Sequence, residues 1–248
     1  MATVDGLHLE VADLPGAGDR RALVLLHEGL GSVGLWRDFP QALQAATGRR
    51  VVAFSRFGHG RSDPPRAPRT PAFFHEEAHD VLPALLTALD APEPLLVGHS
   101  DGASIALVHA ARHPVSGLVL LAPHVFLEAS MVPPIRVTRQ AFEDGELRAR
   151  LARHHDDPDA AFYGWCDVWL DPAMRDWSLE PDAAEVSAPA LLVQGAEDEY
   201  ASLAHLDRIE ARVRGPVSRL VVPGGHSPHL EQPDAVVAAI AHFAAGLP

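Results

Sequence analysis

Gly98-His99-Ser100-Asp101-Gly102 forms a G-x-S-x-G motif between a strand-like run and a helix-like run. Residues 94–97 are apolar and typical of a short buried strand, and residues 103–112 carry the apolar repeat of a helix. The two glycines permit a sharp turn from strand to helix, which would leave the hydroxyl of Ser100 exposed above the helix N-terminus. This context predicts that Ser100 is a nucleophile.

Composition sets the class of protein without naming a substrate. The 248 residues are 47% hydrophobic and 21% charged, which favours one large α/β domain with an insertion over two equal domains. The net charge of -13 argues against binding to nucleic acid or to an anionic membrane. Cys166 is the single cysteine, and the start of the chain lacks the pattern of a signal peptide, so we expect a cytoplasmic protein.

Strand-like and helix-like segments alternate along the chain. Fully apolar strands are typical of a parallel sheet that is buried on both faces, and the alternation predicts right-handed crossovers. We therefore expect an α/β fold with a mostly parallel central sheet flanked by helices. The predicted strands are residues 7–11, 22–26, 50–54, 94–97, 116–122, 189–194 and 219–222.

The stretch 123–188 is much longer than a simple crossover needs, and it has helical patterns of its own at 135–142 and 146–154. We interpret it as a helical cap inserted after the sixth strand, with residues 1–122 and 189–248 forming the core. Five aromatic residues are concentrated in its second half, and we expect most of them to anchor the cap by packing. They are Phe162, Tyr163, Trp165, Trp169 and Trp177.

Two further residues follow predicted strands and complete a nucleophilic set. A serine hydroxyl needs a base to remove its proton, and the base works best when a carboxylate orients it. Asp198 and His226 each follow a strand, and parallel strands bring their carboxyl ends to one edge of the sheet. Ser100, Asp198 and His226 can therefore meet, and their order along the chain is that of the α/β-hydrolases.

The chain resembles the α/β-hydrolase fold serine hydrolases over nearly its whole length. The resemblance implies that Ser100 is the nucleophile, His226 the general base and Asp198 the orienting acid. It also implies that the backbone N–H groups of Asp101 and Gly29 form the oxyanion hole, and that no cofactor is needed. The matching segments are residues 27–32, 58–62, 98–102, 195–198 and 225–229, with Glu231 and Pro233.

Glu28 departs from the family pattern, which has glycine after the histidine of this loop. An ionised carboxylate there would oppose a developing oxyanion. We expect it to turn away and pair with a cation such as Arg56; the alternative is that it accepts a hydrogen bond from a donor on the substrate. Glu28, His124 and Trp165 are the candidate substrate contacts.

The leading hypothesis from these features is a hydrolase that cleaves a carboxylic ester of a small molecule. Lactonases, thioesterases, acyltransferases and carbon-carbon bond hydrolases use the same constellation, and the motifs do not separate them. A different hypothesis is a zinc hydrolase, because His75-Glu76-Glu77-Ala78-His79 matches H-E-x-x-H, although no third ligand is recognisable. A third is a ligand receptor without catalysis on the same scaffold. The oligomeric state is not predicted.

Overall fold

A seven-stranded sheet forms the centre of the computed structural model, which describes residues 1–18 and 20–248. Its strand order is β3-β5-β4-β6-β7-β8-β9, in which β3 is antiparallel to β5 and the other neighbours are parallel. The predicted mostly parallel α/β fold is confirmed. The strands are β1 Ala2–Val4, β2 Leu7–Leu9, β3 Val11–Leu14, β4 Leu23–Leu26, β5 Val51–Phe54, β6 Leu95–His99, β7 Gly117–Leu121, β8 Ala190–Gly195 and β9 Val217–Val222.

Alternate residues of the central strands face two separate cores. In β4, Val24 and Leu26 pack into one core, while Leu23 and Leu25 pack into the other. Helices cover both faces, which explains why these strands have no polar face. The helices are α1 Phe39–Thr47, α2 Phe73–Glu76, α3 Leu82–Ala88, α4 Asp101–Ala110, α5 Val132–Glu143, α6 Glu146–Leu151, α7 Pro158–Leu170, α8 Glu180–Ala183, α9 Ala204–Arg212, α10 Pro228–Glu231 and α11 Pro233–Ala245.

The parallel register aligns the carboxyl ends of the strands at one edge of the sheet. Leu26 of β4 is paired with Gly98 of β6, and Gly195 of β8 is paired with Val222 of β9. The loops that follow these four strands therefore start at the same level. The segment after β4 is the candidate oxyanion loop, and the segments after β6, β8 and β9 contain Ser100, Asp198 and His226.

The N-terminal prediction was partly wrong. Residues 7–11 do not form one strand: Leu7–Leu9 pairs with β1 in a separate hairpin, and Val11–Leu14 pairs with the edge of β5. The Pro/Gly pattern of residues 13–20 predicts a turn, but strand pairing continues through Leu14, so that turn begins too early; residue 19 lies outside the described residues. The predicted strand is broken at Glu10, where the chain changes its pairing partner from β1 to β5.

The apolar pattern of residues 73–89 predicts one helix, which is present but irregular. A π-helical turn, Glu77–Val81, separates α2 from α3. Pro83 has no backbone N–H with which to bond the residue one turn earlier, so a local widening of the helix here costs little. The chain then continues as α3 through Pro83 rather than ending there.

Helices α5 to α8 form the segment between β7 and β8, which we call the insert. The sequence pattern located α5 and α6 but extended the second to residue 154, whereas it ends at Leu151. The longest insert helix, α7, carries the aromatic residues Phe162 to Trp169. The boundaries 123 and 188 for a separate cap stay a prediction. Among the described residues, no helix is both long and apolar enough to cross a membrane.

Candidate active site

Ser100 lies at a tight turn between β6 and α4. Its φ of 54° and ψ of -118° are strained for a residue with a side chain, as expected of a nucleophile elbow. The backbone of Leu121 in the next strand fixes this position, since its carbonyl accepts the Ser100 N–H at 2.9 Å. A Cβ atom on Gly102 would lie 2.1 Å from the carbonyl oxygen of Leu26, so only glycine permits this approach of helix to strand.

Ser100, His226 and Asp198 form one hydrogen-bonded chain. The Ser100 hydroxyl lies 2.9 Å from Nε2 of His226, and Nδ1 of His226 lies 2.9 Å from each carboxylate oxygen of Asp198. This arrangement has Ser100 donating to Nε2, with the Nδ1 proton directed to the carboxylate. The three predicted residues are thus brought together, in the geometry that proton transfer from serine to histidine requires.

The carboxylate of Asp198 is fully buried and held by three other donors. The N–H groups of Tyr200 and Ala201 donate to Oδ1 at 2.8 and 3.1 Å. The side-chain amide of Gln194 donates to Oδ2 at 2.7 Å. These bonds fix the plane of the carboxylate beside His226.

Nearby carboxylates favour the protonated form of His226. Burial lowers the pKa of His226, but its hydrogen bond to Asp198 and the Asp198 charge raise it. The negative charges of Glu199 and Glu28 add to this effect, and the net result is a pKa above the usual value for histidine. The imidazolium that would form when Ser100 is deprotonated is therefore stabilised.

The loop after β4 presents the backbone of Gly29 beside the nucleophile. Arg56 supports the loop from behind by donating to the carbonyls of His27 and Glu28. Nε2 of His59 donates to the carbonyl of Gly29 at 2.9 Å. None of the hydrogen bonds in the described part of the chain uses the N–H of Gly29. Gly29 and Asp101 both line the cavity that contains Ser100, as expected for the two oxyanion donors.

The expected ion pair between Glu28 and Arg56 was wrong. The guanidinium of Arg56 binds main-chain carbonyls, and the Glu28 carboxylate instead accepts the N–H of Leu30 at 2.5 Å. Burial raises the pKa of Glu28, the Leu30 N–H and the charge of Arg56 oppose that shift, and the net direction is upward. A carboxylate with no salt-bridge partner therefore lies in the wall of the cavity.

The cavity above Ser100 has a volume of about 110 Å³. All three candidate substrate contacts, Glu28, His124 and Trp165, line it. Both ring nitrogens of His124 are buried without a hydrogen-bond partner among the described residues. The other lining residues are Gly29, Leu30, Ser100, Asp101, Met131, Ile135, Thr138, Trp169, Tyr200 and His226.

His75 and His79 do not form the zinc site that the H-E-x-x-H pattern suggested. Nε2 of His75 lies 3.2 Å from a carboxylate oxygen of Asp182, and Nδ1 of His79 lies 3.3 Å from Nε2 of His113. Among the residues that the structure describes, no three His, Cys, Asp or Glu side chains converge as metal ligands. The pattern is accounted for by these local hydrogen bonds.

Three side chains that support the site were not assigned from sequence. His99 donates from Nε2 to the carbonyl of His226 at 2.8 Å and so holds the loop of the candidate base. Gln194 orients Asp198, and the indole N–H of Trp169 donates to the Asp101 carboxylate at 3.1 Å. Their only sequence signal is position: His99 and Gln194 lie at or just after the ends of predicted strands, and Trp169 lies in the predicted insert.

The sheet order, the elbow and the hydrogen-bonded serine, histidine and aspartate have the architecture of an alpha/beta hydrolase. The chain belongs to the alpha/beta hydrolase family, whose profile matches residues 23–239. It is 29% identical to the human serine hydrolase BPHL, over 93% of this chain and 81% of that protein. It is 33% identical to a non-heme chloroperoxidase from Streptomyces lividans, over 80% and 82% of the two chains.

Solved structures agree on the fold. The enol-lactonase from Burkholderia xenovorans LB400 superposes with a TM-score of 0.77 at 23% sequence identity, covering 97% of each chain. The names of these relatives include a serine hydrolase, a chloroperoxidase and an enol-lactonase, so family membership fixes the scaffold and leaves the reaction and the substrate open.

Proposed function

We propose that this protein is a serine hydrolase that cleaves a carboxylic ester of a small molecule through an acyl-enzyme. The observation that carries the proposal is the 2.9 Å contact between the Ser100 hydroxyl and Nε2 of His226, with Asp198 on the other ring nitrogen. A buried serine without an adjacent base is a poor nucleophile, and this contact provides the base.

In the first half-reaction, Oγ of Ser100 attacks the acyl carbon while Nε2 of His226 takes the hydroxyl proton. The backbone N–H groups of Asp101 and Gly29 donate to the oxyanion of the tetrahedral intermediate. His226 returns the proton to the leaving alcohol, and Asp198 holds the imidazolium throughout. Water then attacks the acyl-enzyme by the same sequence and releases the acid.

The cavity wall favours neutral or positively charged substrates over anionic ones. Glu28 and Asp101 place two carboxyl groups in the wall, and no Lys or Arg lines it among the described residues. Aromatic and aliphatic side chains cover the remaining surface, including Trp165, Ile135 and Met131. This composition suits a short apolar acyl group whose ester carries no negative charge.

Intact-mass measurement after fluorophosphonate treatment tests the nucleophile directly. We expect one adduct per chain in the native protein, none in Ser100→Ala, and full labelling in a matched control, Ser202→Ala, in which an exposed serine is removed. The hydrolysis of p-nitrophenyl esters, with acyl groups from acetate to hexanoate, should be lost in Ser100→Ala together with the label. Absence of both labelling and turnover in the native protein would overturn the proposal.

A substrate panel separates ester hydrolysis from the other reactions of this constellation. The panel contains a lactone, a thioester, an anilide and a carbon-carbon substrate, each compared with the ester of the same acyl group. We expect the ester to have the highest kcat/KM. A higher value for another bond type, with the same dependence on Ser100, would reassign the reaction while keeping the nucleophile.

A further inference from the structure

A second cavity lies on the other side of the candidate oxyanion loop. It has a volume of about 80 Å³, and we call it the rear chamber. The exposed residue Arg37 is part of its wall, so the chamber reaches the protein surface. Its other lining residues are His27, Glu28, Gly31, Ser32, Leu35, Trp36, His99, Ser227, His229 and Leu230.

Three buried polar atoms, one on each of three residues that line the rear chamber, have no hydrogen-bond partner among the described residues. They are the hydroxyl of Ser32, the indole N–H of Trp36 and Nδ1 of His229. All three side chains are at most 3% exposed. Buried polar groups are rarely left without a hydrogen bond, so three of them around one cavity indicate a polar occupant.

Ser32 is the clearest of the three unpartnered groups, because it lies at the N-cap of a 3₁₀ turn, Val33–Trp36. Serine at this position usually accepts a backbone N–H of the turn. Here its side chain makes no capping bond, and its Oγ is instead buried at the chamber wall. The hydroxyl therefore remains available to a molecule in the chamber.

Glu28 is common to both cavities. Its side chain belongs to a wall of the rear chamber and also to the wall of the cavity that contains Ser100. Oε2 accepts the Leu30 N–H, and no described residue donates to Oε1. A carboxylate placed in this way can accept a hydrogen bond from a water molecule on either side.

We propose that the rear chamber holds ordered water and supplies, by way of Glu28, the molecule that hydrolyses the acyl-enzyme; this rests on the proposed function. Water fits the mixed set of groups, since Trp36 can only donate, the Glu28 carboxylate accepts, and Ser32 and His229 can each do either. The acyl group occupies the front cavity at this stage and obstructs entry there.

The chemical step is balanced within the site. The water oxygen bonds to the acyl carbon while its proton passes to Nε2 of His226. The tetrahedral intermediate then collapses, the bond from the acyl carbon to Oγ breaks, and Oγ takes the proton from His226. Glu28 acts as a positioning residue for the water and exchanges no proton in this scheme.

Partition of the acyl-enzyme between water and a larger nucleophile tests the rear route. With p-nitrophenyl acetate and 1-butanol, acetate reports attack by water and butyl acetate reports attack through the front cavity. We expect Ser32→Val, which replaces the hydroxyl by methyl groups at an extended φ of -159°, to raise the ratio of butyl acetate to acetate at least fivefold. The pre-steady-state burst of p-nitrophenol should stay near one equivalent.

Trp36→Phe provides a second variant that removes a donor without filling the chamber, and a shift of the ratio in the same direction is expected. The matched control is Ser116→Val, because Ser116 also has a buried hydroxyl without a partner but does not line the chamber. An unchanged ratio in both variants, with the burst intact, would overturn the rear route alone. Absence of both fluorophosphonate labelling and p-nitrophenyl acetate turnover in the native protein would instead overturn the proposed function.

Discussion

The indole N–H of Trp169 donates to the carboxylate of Asp101 at 3.1 Å, which joins an insert helix to the turn that carries the candidate nucleophile. One helical turn earlier, Trp165 lies against Gly29 so closely that a Cβ atom there would meet its Cδ1 at 2.0 Å. Residues four apart share one face of a helix. A single face of α7 therefore contacts both candidate oxyanion residues.

Trp169→Phe should lower both the free energy of unfolding and kcat/KM, although an aromatic ring still packs at this position. The substitution removes a donor from a buried carboxylate, which costs about 1 to 3 kcal/mol in free energy of unfolding. We also expect kcat/KM to fall roughly tenfold, because Asp101 loses a bond that orients its backbone, and tenfold corresponds to ~1.4 kcal/mol. Urea unfolding and p-nitrophenyl ester kinetics measure the two effects.

Trp177→Phe is the matched control for this prediction. Trp177 packs edge-on against Trp169, but its indole N–H has no partner among the described residues. Removing that nitrogen should leave both stability and kcat/KM nearly unchanged. Equal losses in the two variants would mean that ring packing, and not the hydrogen bond to Asp101, is responsible.

Gly29→Ala should displace the candidate oxyanion loop, because the added methyl group overlaps the ring of Trp165. Losing one oxyanion donor typically lowers kcat by a factor of about 10² to 10³. The double variant Gly29→Ala/Trp165→Ala relieves the overlap, and its kcat should be at least tenfold higher than that of Gly29→Ala. A double-mutant cycle in kcat measures the coupling, and strict additivity would contradict the proposed contact between loop and α7.

Local patterns were sufficient to locate the sheet and the three residues of the hydrogen-bonded chain. Strand ends in a parallel sheet lie at one edge, so Ser100, Asp198 and His226 could be placed together from their positions alone. The break between β2 and β3 was missed because apolar and polar residues alternate from Leu7 to Val11 without interruption, and a change of pairing partner leaves no local signal. Helix and strand patterns describe a segment's own faces, not which neighbour it contacts.

The environment of Glu28 could not be predicted for the same reason. Its charge suggested a nearby cation, and Arg56 does lie close, but the guanidinium is committed to backbone carbonyls. The bond from Trp169 to Asp101 joins residues 68 positions apart, through an insert helix whose docking angle depends on packing. Such contacts follow from tertiary structure and are not encoded in a short motif.

Glu28→Gln should move the acid limb of the activity profile to lower pH. Catalysis requires neutral His226, so kcat/KM falls as the pH drops through its pKa, which lies above the usual histidine value. The Glu28 charge is one cause of that raised pKa, and its removal destabilises the imidazolium. The direction is therefore toward a lower pKa, with activity retained further into the acid range.

The measurement is kcat/KM for a neutral p-nitrophenyl ester between pH 5 and 9. Glu231→Gln offers a control carboxylate at the other end of the His226 loop, where it accepts backbone N–H groups and is not a cause of the pKa shift. An acid limb that stays in place in Glu28→Gln would show that this carboxylate is already protonated in the working pH range.

Buried histidines should make the fold sensitive to mild acid. Burial lowers the pKa of His109 and His205 to about 4 and that of His229 to about 3. The unfolded chain binds protons at these residues below about pH 6.5, where the folded chain does not, so the free energy of unfolding decreases as pH falls. Each such histidine contributes about 1.4 kcal/mol per pH unit between pH 6 and 4.5.

Glu28 and Asp101 oppose this trend, because burial raises their pKa and the folded chain then binds protons first. The histidines whose pKa burial lowers this strongly outnumber the carboxyl groups whose pKa burial raises, so acidification leaves a net loss of stability. Urea unfolding at half-unit steps from pH 7.5 to 4.5 measures the slope, and His109→Gln should reduce it by about 1.4 kcal/mol per pH unit. His242→Gln removes an exposed histidine and is the matched control, in which we expect no change of the slope.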